Sequence, residues 1–523
     1  MSGKTDRLKN WVGERIGIDA RSLALFRVLA GLLVVVDIVL RSRNFRFFYT
    51  DSGVVPVELA KRFAGDSLSV YFLSGDPLYV GFLFILTVVF GLMMVFGYRT
   101  RLATVMSFVL VASLDIRNGL VTSYADTLFR HLLFWAIFLP LGKRFSVDAV
   151  LNSDRSGKEI VAGVASLAIL MKVVSMYFVN GYLKLGSELW MSGKAAPLVI
   201  GRDSLSFLLG DYITYFPGLL KAGGLLWFGL LLFSPLLLIT KGRKRDLYAS
   251  ALIVMELFLA VTVRIGAFPY VAIAGLVLFL QPSFWNTLFG SRLGPYLEKF
   301  RAWGERRAQG LDGSLLDFRL GLDDLLDFRG REVLKSVFLS VLLLNSLLVN
   351  MSTLGVVDAR GAPGQQQVTE LKSLADIDEP NWGIFAPNPN TDDRYFITAG
   401  LSSSGRLYDI HNGRNFTWDR PSRHLNDVWP TYRYRFYMPE NLMNHEIEAN
   451  YLRYLCENWE KGNETLEYIS IYYVEEKVTM QTLNQPEDRF RVRQLYSSWG
   501  CGDRAPRHIV KRDYDGPGFN QTE

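Results

Sequence analysis

Long unbroken apolar runs set the terms for how this chain can fold. Between Ser22 and Leu354 they recur at about 17–22 residues, each enough to cross ~30 Å of hydrocarbon as a helix. Backbone at that depth must satisfy its own N–H and C=O groups, so the runs predict packed helices. The length rule yields about nine candidate spans. They are Ser22–Leu40, Leu78–Gly97, Leu102–Leu114, Thr127–Leu141, Ile160–Val179, Leu219–Thr240, Leu247–Val263, Phe268–Leu280 and Ser336–Leu354. The expected fold is an α-helical polytopic membrane bundle over residues 1–354, followed by an extracytoplasmic α+β domain over 355–523. The N-terminal segment has no short apolar h-region and no small-residue cleavage site, so the first span reads as an uncleaved anchor.

Orientation follows from basic residues in alternate loops. Roughly 24 Lys and Arg fall on the N-terminal side of the bundle and roughly 11 on the other. Lys241, Arg243, Lys244 and Arg245 are the clearest inward signal. The N-terminus is therefore expected in the cytoplasm and the C-terminal domain outside, in a multi-pass protein of the cell membrane. The chain has 2 cysteines, Cys456 and Cys501, both in that outer domain. An oxidising compartment would allow a disulfide between them, with two free thiols as the alternative. The net charge of +6 is ordinary for basic cytoplasmic loops and implies no nucleic-acid partner.

Residues 281–335 have an amphipathic, charged pattern and read as a cytoplasmic helical connector. Its near-repeat, Leu315–Arg319 and Leu325–Arg329, is too short for a repeat architecture. In the outer domain, Arg394–Leu401 and Arg406–Ile410 alternate around a Ser-Gly turn and predict a hairpin. Asn444–Glu460 has helical spacing and Leu466–Val478 reads as strand.

Ionisable residues inside spans point to function or internal pairing, because they are costly there. Lys172 and Glu256 fall near the same depth and predict an ion pair. Asp37, Asp115, Arg117, Asp126, Arg130, Lys184 and Arg264 gather in the outer third. Polar groups at that depth predict a cavity opening outward beneath the soluble domain. Lys184 lies at the end of YFVNGYLKLG, Tyr177–Gly186, with Asn180 on the same helix face. It is either a snorkelling anchor or a base held in a partly dry site, where burial or Arg130 and Arg264 would favour the free amine. The chain carries no Walker-type loop, zincin motif or nucleophile elbow.

Several segments, in order, carry a resemblance. They are DARSLALFRVLAG (Asp19–Gly31), FGYRTRLAT (Phe96–Thr104), LFWAIFLPLGKRFSVDA (Leu133–Ala149), YFVNGYLKL (Tyr177–Leu185) and IGAFPY (Ile265–Tyr270). WGIFAPNP, Trp382–Pro389, is similar to a W-x-M-F-A-P-x-P pattern. Together they resemble the HTTM (horizontally transferred transmembrane) family, related to vitamin K-dependent gamma-glutamyl carboxylase. In that carboxylase, a hydroquinone and oxygen generate a strong base without a metal. The base takes a proton from a protein glutamate, which then adds carbon dioxide.

The family pattern G-x-x-K-L falls on Gly181, Lys184 and Leu185, so the resemblance implies Lys184 as the base. Leu183 stands where the carboxylase has a second lysine, and Asp126 and Glu256 stand at two of its histidines. The charges gathered in the outer third supply the rest of the expected site: Asp126 and Arg130 join Lys184 as catalytic residues, and Asn180, Arg264, Asp115 and Arg117 would bind substrate. The resemblance implies reduced vitamin K or menaquinol as cofactor, no metal, and a membrane lipid or quinone and an extracytoplasmic protein as partners. The activity would be that of a carbon–carbon lyase or a quinol epoxidase. Trp190, Tyr177 and Tyr182 would stack a quinone ring or belong to an interfacial aromatic belt. The alternative is a non-enzymatic membrane protein that binds or matures an extracytoplasmic partner. A transporter is disfavoured, since no inverted repeat is visible.

Overall fold

The computed structural model describes residues 11–151, 159–291, 295, 299, 329–357, 365–374, 376–442 and 444–510. Helix ends follow from local chemistry. Helix α1 (Ala20–Ser42) begins on Asp19, whose carboxylate accepts the Arg21 N–H at 2.8 Å. Helix α2 (Pro77–Phe96) begins on Asp76, which accepts from Leu78 and Tyr79, with Pro77 in the first turn. It stops at Gly97, whose φ of 68° is a left-handed conformation that glycine adopts without strain. Helices α3 (Thr100–Arg117), α4 (Tyr124–Ala136), α5 (Val164–Lys184), α6 (Pro217–Leu232), α7 (Arg243–Thr262), α8 (Phe268–Leu276) and α9 (Arg329–Thr353) follow.

Among the described residues, Ala20–Ser42, Pro77–Phe96, Val164–Lys184 and Val333–Thr353 are long and apolar enough to cross a membrane, 4 helices in all. Phe268–Phe279 and Pro282–Phe289 meet at a 97° bend and together make a fifth candidate. The other expected spans take different forms for visible reasons. α3 ends in Asp115 and Arg117, and α4 has only 13 residues. α6 stops at Leu232, just before Pro235. α7 opens on a basic turn and carries Glu256 at its centre. The paired connector sequence at Leu315–Arg319 and Leu325–Arg329 lies, apart from Arg329, outside the described residues.

α5 is the hub of the bundle and packs against α4, α6, α8 and α9. Its apolar window is 67% buried, against 33% for α2, which places α5 inside and α2 at the rim. The approach to α6 is close enough to require glycine at 181. A Cβ there would lie 2.6 Å from the Leu232 backbone nitrogen.

The C-terminal region holds a 5-stranded antiparallel sheet. Its strands are β1 (Asp392–Ser402), β2 (Leu407–Asp409), β3 (Arg414–Asn415), β4 (Leu466–Lys477) and β5 (Arg491–Gly500), in the order β3-β2-β1-β4-β5. The hairpin read from alternation is β1–β2, with Leu401 opposite Leu407. Helix α10 (His445–Asn458) is capped by Asn444, and Cys456 near its end is bonded to Cys501. The helical part and the sheet region share apolar cores. Trp382 joins the cluster of α1, α4, α5 and α8, while Phe48 and Leu114 pack in one cluster with Phe396, Tyr437 and Ile469.

Candidate functional site

Lys184 closes α5, yet only 1% of it is exposed. A snorkelling anchor would put its amine in water. Here Nζ donates instead to Asn180 Oδ1 at 2.5 Å and to Ile384 O at 2.6 Å. It also lies 4.7 Å from the centroid of the Trp190 ring. Among the described residues no carboxylate pairs with this amine.

The Ile384 carbonyl belongs to a roof, Trp382–Asn388, drawn from the C-terminal region. Asn180 Nδ2 donates to Trp382 O at 2.7 Å and to Ile384 O at 2.9 Å. Trp190 Nε1 donates to Phe385 O at 2.8 Å, and Ser187 Oγ to Asn388 Oδ1 at 2.7 Å. The roof contains a cis Ala386–Pro387 bond, and Phe385 has a φ of 54°. A bulky residue in that left-handed region is uncommon, and here its carbonyl is pinned by Trp190.

Beneath the roof lies a cavity of about 240 Å³. Tyr177, Asn180 and Lys184 line it from α5, at spacings that put them on one helix face. Gly224 and Trp227 line it from α6, Phe258 and Leu259 from α7, and Ile384 and Phe385 from above. Tyr177 donates to Glu256 Oε1 at 2.7 Å, and the second oxygen of this buried carboxyl has no partner among the described residues. α6 packs on α5 and α7 on α8, and the Tyr248 hydroxyl of α7 donates to Leu230 O of α6 at 2.8 Å. Leu219 and Leu226 of α6 and Val254 and Leu257 of α7 are exposed on the outer faces. Tyr177 and Trp190 are buried wall residues rather than belt residues, whereas Tyr182 is exposed.

The other residues singled out from the sequence lie elsewhere. Asp115, Asp126 and Arg130 do not line this cavity. They join an ion-pair array centred on fully buried Arg41, which reaches Asp37 at 2.7 Å, Asp115 at 2.6 Å and Asp126 at 2.9 Å. Arg433 of the C-terminal region contacts Asp37 at 2.7 Å and Asp126 at 3.0 Å. Arg130 bridges Asp115 at 2.6 Å and Asp376 at 2.7 Å. Arg117 is buried, with Asp51 at 4.0 Å. Arg264 donates to Asn426 O at 2.6 Å, turning its charge toward the sheet region. The structure thus brings Lys184 and Asn180 together and collects Asp115, Asp126 and Arg130 at a second centre.

The expected Lys172–Glu256 pair does not form. Lys172 pairs with Glu379, and Glu256 accepts from Tyr177. Burial alone would raise the Glu379 carboxyl, but Lys172, His131 and Lys372 hold it down to about 2. Glu379 supplies the counter-charge from a segment with no membrane-type pattern, so depth matching within the spans could not find it. The roof was flagged only as a resemblance at WGIFAPNP, and nothing local tied it to Lys184. Among the described residues no group of 3 or more His, Cys, Asp or Glu could hold a metal ion.

The HTTM domain family model matches residues 17–285. The match takes in α1 through α8, with Tyr177, Asn180, Lys184, Trp190 and Glu256, and stops before the roof. No curated protein and no solved structure matches the chain. A match over half of the sequence, with Lys184 itself inside it, settles the family: the chain belongs to the HTTM domain family.

Proposed function

We propose that this protein is a quinol-dependent membrane enzyme of the kind typified by vitamin K-dependent gamma-glutamyl carboxylase, with Lys184 as its base. The observation that carries the reading is a buried amine in the wall of an apolar cavity, held among the described residues by neutral acceptors alone. Burying an ammonium without a counter-charge is expensive. A neutral amine would place two N–H groups on Asn180 Oδ1 and Ile384 O and keep its lone pair for a proton. Asn180 fixes the position of the amine, and the roof excludes water from it.

The cavity suits a planar aromatic head group. Its walls include Tyr177, Trp190, Trp227 and Phe385, and polar atoms stand along the α5 face. Tyr177, Trp190 and Asn180 would hold reduced vitamin K or menaquinol beside Lys184, and the exposed apolar residues of α6 and α7, Leu226, Val254 and Leu257 among them, would face the lipid that carries its tail. When bound with oxygen, that cofactor would supply the strong base used in carboxylase-type chemistry. The second substrate would be an extracytoplasmic protein or lipid. Its side of approach would follow from the basic-loop asymmetry, which favours an N-terminus in the cytoplasm and a roof outside, with about nine membrane-embedded elements expected from the apolar runs.

The test uses purified protein in detergent with reduced vitamin K or menaquinol, oxygen, labelled bicarbonate and a glutamate peptide. Wild type should form quinone epoxide, and Lys184→Ala should lose at least about 100-fold in rate. Label in the peptide would extend the reading to carboxylation. Absence of epoxide from folded wild type with bound quinol would overturn the enzyme reading. It would leave a protein that binds or matures an extracytoplasmic partner.

A further inference from the structure

The polar groups along the α5 face share a property that the quinol reading does not by itself require. Their hydrogens are already committed. The Tyr177 hydroxyl gives its one proton to Glu256 Oε1 at 2.7 Å. Both donors of the Asn180 amide are taken by roof carbonyls, at 2.7 and 2.9 Å. The Trp190 indole N–H is taken by Phe385 O. Lys184 directs its N–H groups to Asn180 Oδ1 and Ile384 O. The face therefore keeps lone pairs at Tyr177 at one end and at the Lys184 amine at the other. Seven residues of helix separate these ends, about 10 Å at 1.5 Å per residue.

We propose that the α5 face of the cavity selects its ligand by hydrogen-bond sense: it takes a lipid-tailed aromatic diol, which donates at both ends, in preference to the oxidised dicarbonyl form, which can only accept. Tyr177 and Glu256 set that sense at the inner end. The proposal rests on the quinol reading and on the neutral amine within it. Glu256 is the orienting partner, because its buried carboxyl draws the Tyr177 proton away from the ligand. A site built to accept from a hydroxyl penalises an analogue that leaves buried acceptors facing each other. The same sense would help to release an oxidised product.

The test measures binding, not turnover. The full chain in nanodiscs is titrated under argon with a short-tailed menaquinone analogue in its reduced form, its oxidised form and as the dimethyl ether of the reduced form. The ether keeps the ring but removes both donors. Wild type should bind the reduced form at least about tenfold more tightly than either of the others. Glu256→Leu should narrow that ratio by freeing the Tyr177 proton to donate, chiefly through a gain for the oxidised form. Glu256→Gln, whose amide oxygen still accepts from Tyr177, should keep the ratio. Equal binding of all three forms by wild type overturns the selection proposal and leaves the quinol cavity standing. Binding of none of them overturns the quinol reading as well.

Discussion

Asn180 serves three groups at once, taking a hydrogen from Lys184 and giving two to the roof. Asn180→Ala should orphan these groups and cost about 1–3 kcal/mol, read as a lower thermal midpoint in detergent. An unchanged midpoint would show that the roof is held from elsewhere. At Gly181 the constraint is steric. Gly181→Val should press into the Leu232 backbone and cost about 1–3 kcal/mol through overpacking, with loss of ligand binding as α6 is displaced. The Lys184–Asn180 pair was legible in the sequence because four-residue spacing on a helix brings side chains together. The second acceptor was not legible. Ile384 lies 200 residues away and contributes a backbone oxygen, which has no residue-type signature.

At the level of elements, the array around Arg41 binds α1, α3 and α4 to one another, and Arg433 and Asp376 extend it into the C-terminal region. Asp126 also accepts the Ser123 N–H at 2.8 Å, so it caps α4 while serving two arginines. Asp126→Ala should cost about 3–5 kcal/mol, because it leaves buried guanidinium groups short of a carboxylate. A double-mutant cycle with Arg433→Ala should show strong coupling, and simple additivity in thermal midpoint would argue against the array. The sequence reading groups these acidic residues with the lysine, whereas the structure gathers them around Arg41. Depth is readable from position in an apolar run, whereas partner choice depends on helix rotation and on Arg433, 396 residues from Asp37. The apolar runs foretold the uniform helices well. They did not foretell the 97° bend after Phe279, where Pro282 opens the next helix.

Considered whole, the described parts of the helical region and of the C-terminal region are joined through apolar cores. The core cluster containing Phe396 and Ile469 also contains helix-side residues such as Tyr71 and Leu114, and the Cys456–Cys501 bond fastens α10 to the end of β5. Stability should therefore respond to acid through the sheet region as much as through the helices. Burial pushes the His411 imidazole, packed 5.3 Å from Trp429, down to about 4. Unfolded, it would titrate near 6.5, so the unfolded chain binds more protons between those values. The stability contribution is full above about 6.5 and is lost as pH falls toward about 4. Thermal midpoints of wild type and His411→Gln should converge across that window. A constant difference would remove His411 from the account.

The roof over Lys184 has a consequence for how the protein comes into being. Ribosomes make chains from the N-terminus, so α5 exists well before residues 382–388 are joined to it. Until those residues arrive, the amine has no Ile384 carbonyl and the cavity has no lid. A chain cut short between residue 285 and Trp382 would carry every residue of the family match and still lack the roof over Lys184. The final third of the chain thus acts as a certificate of completion, and a half-made molecule leaves the Lys184 amine uncovered.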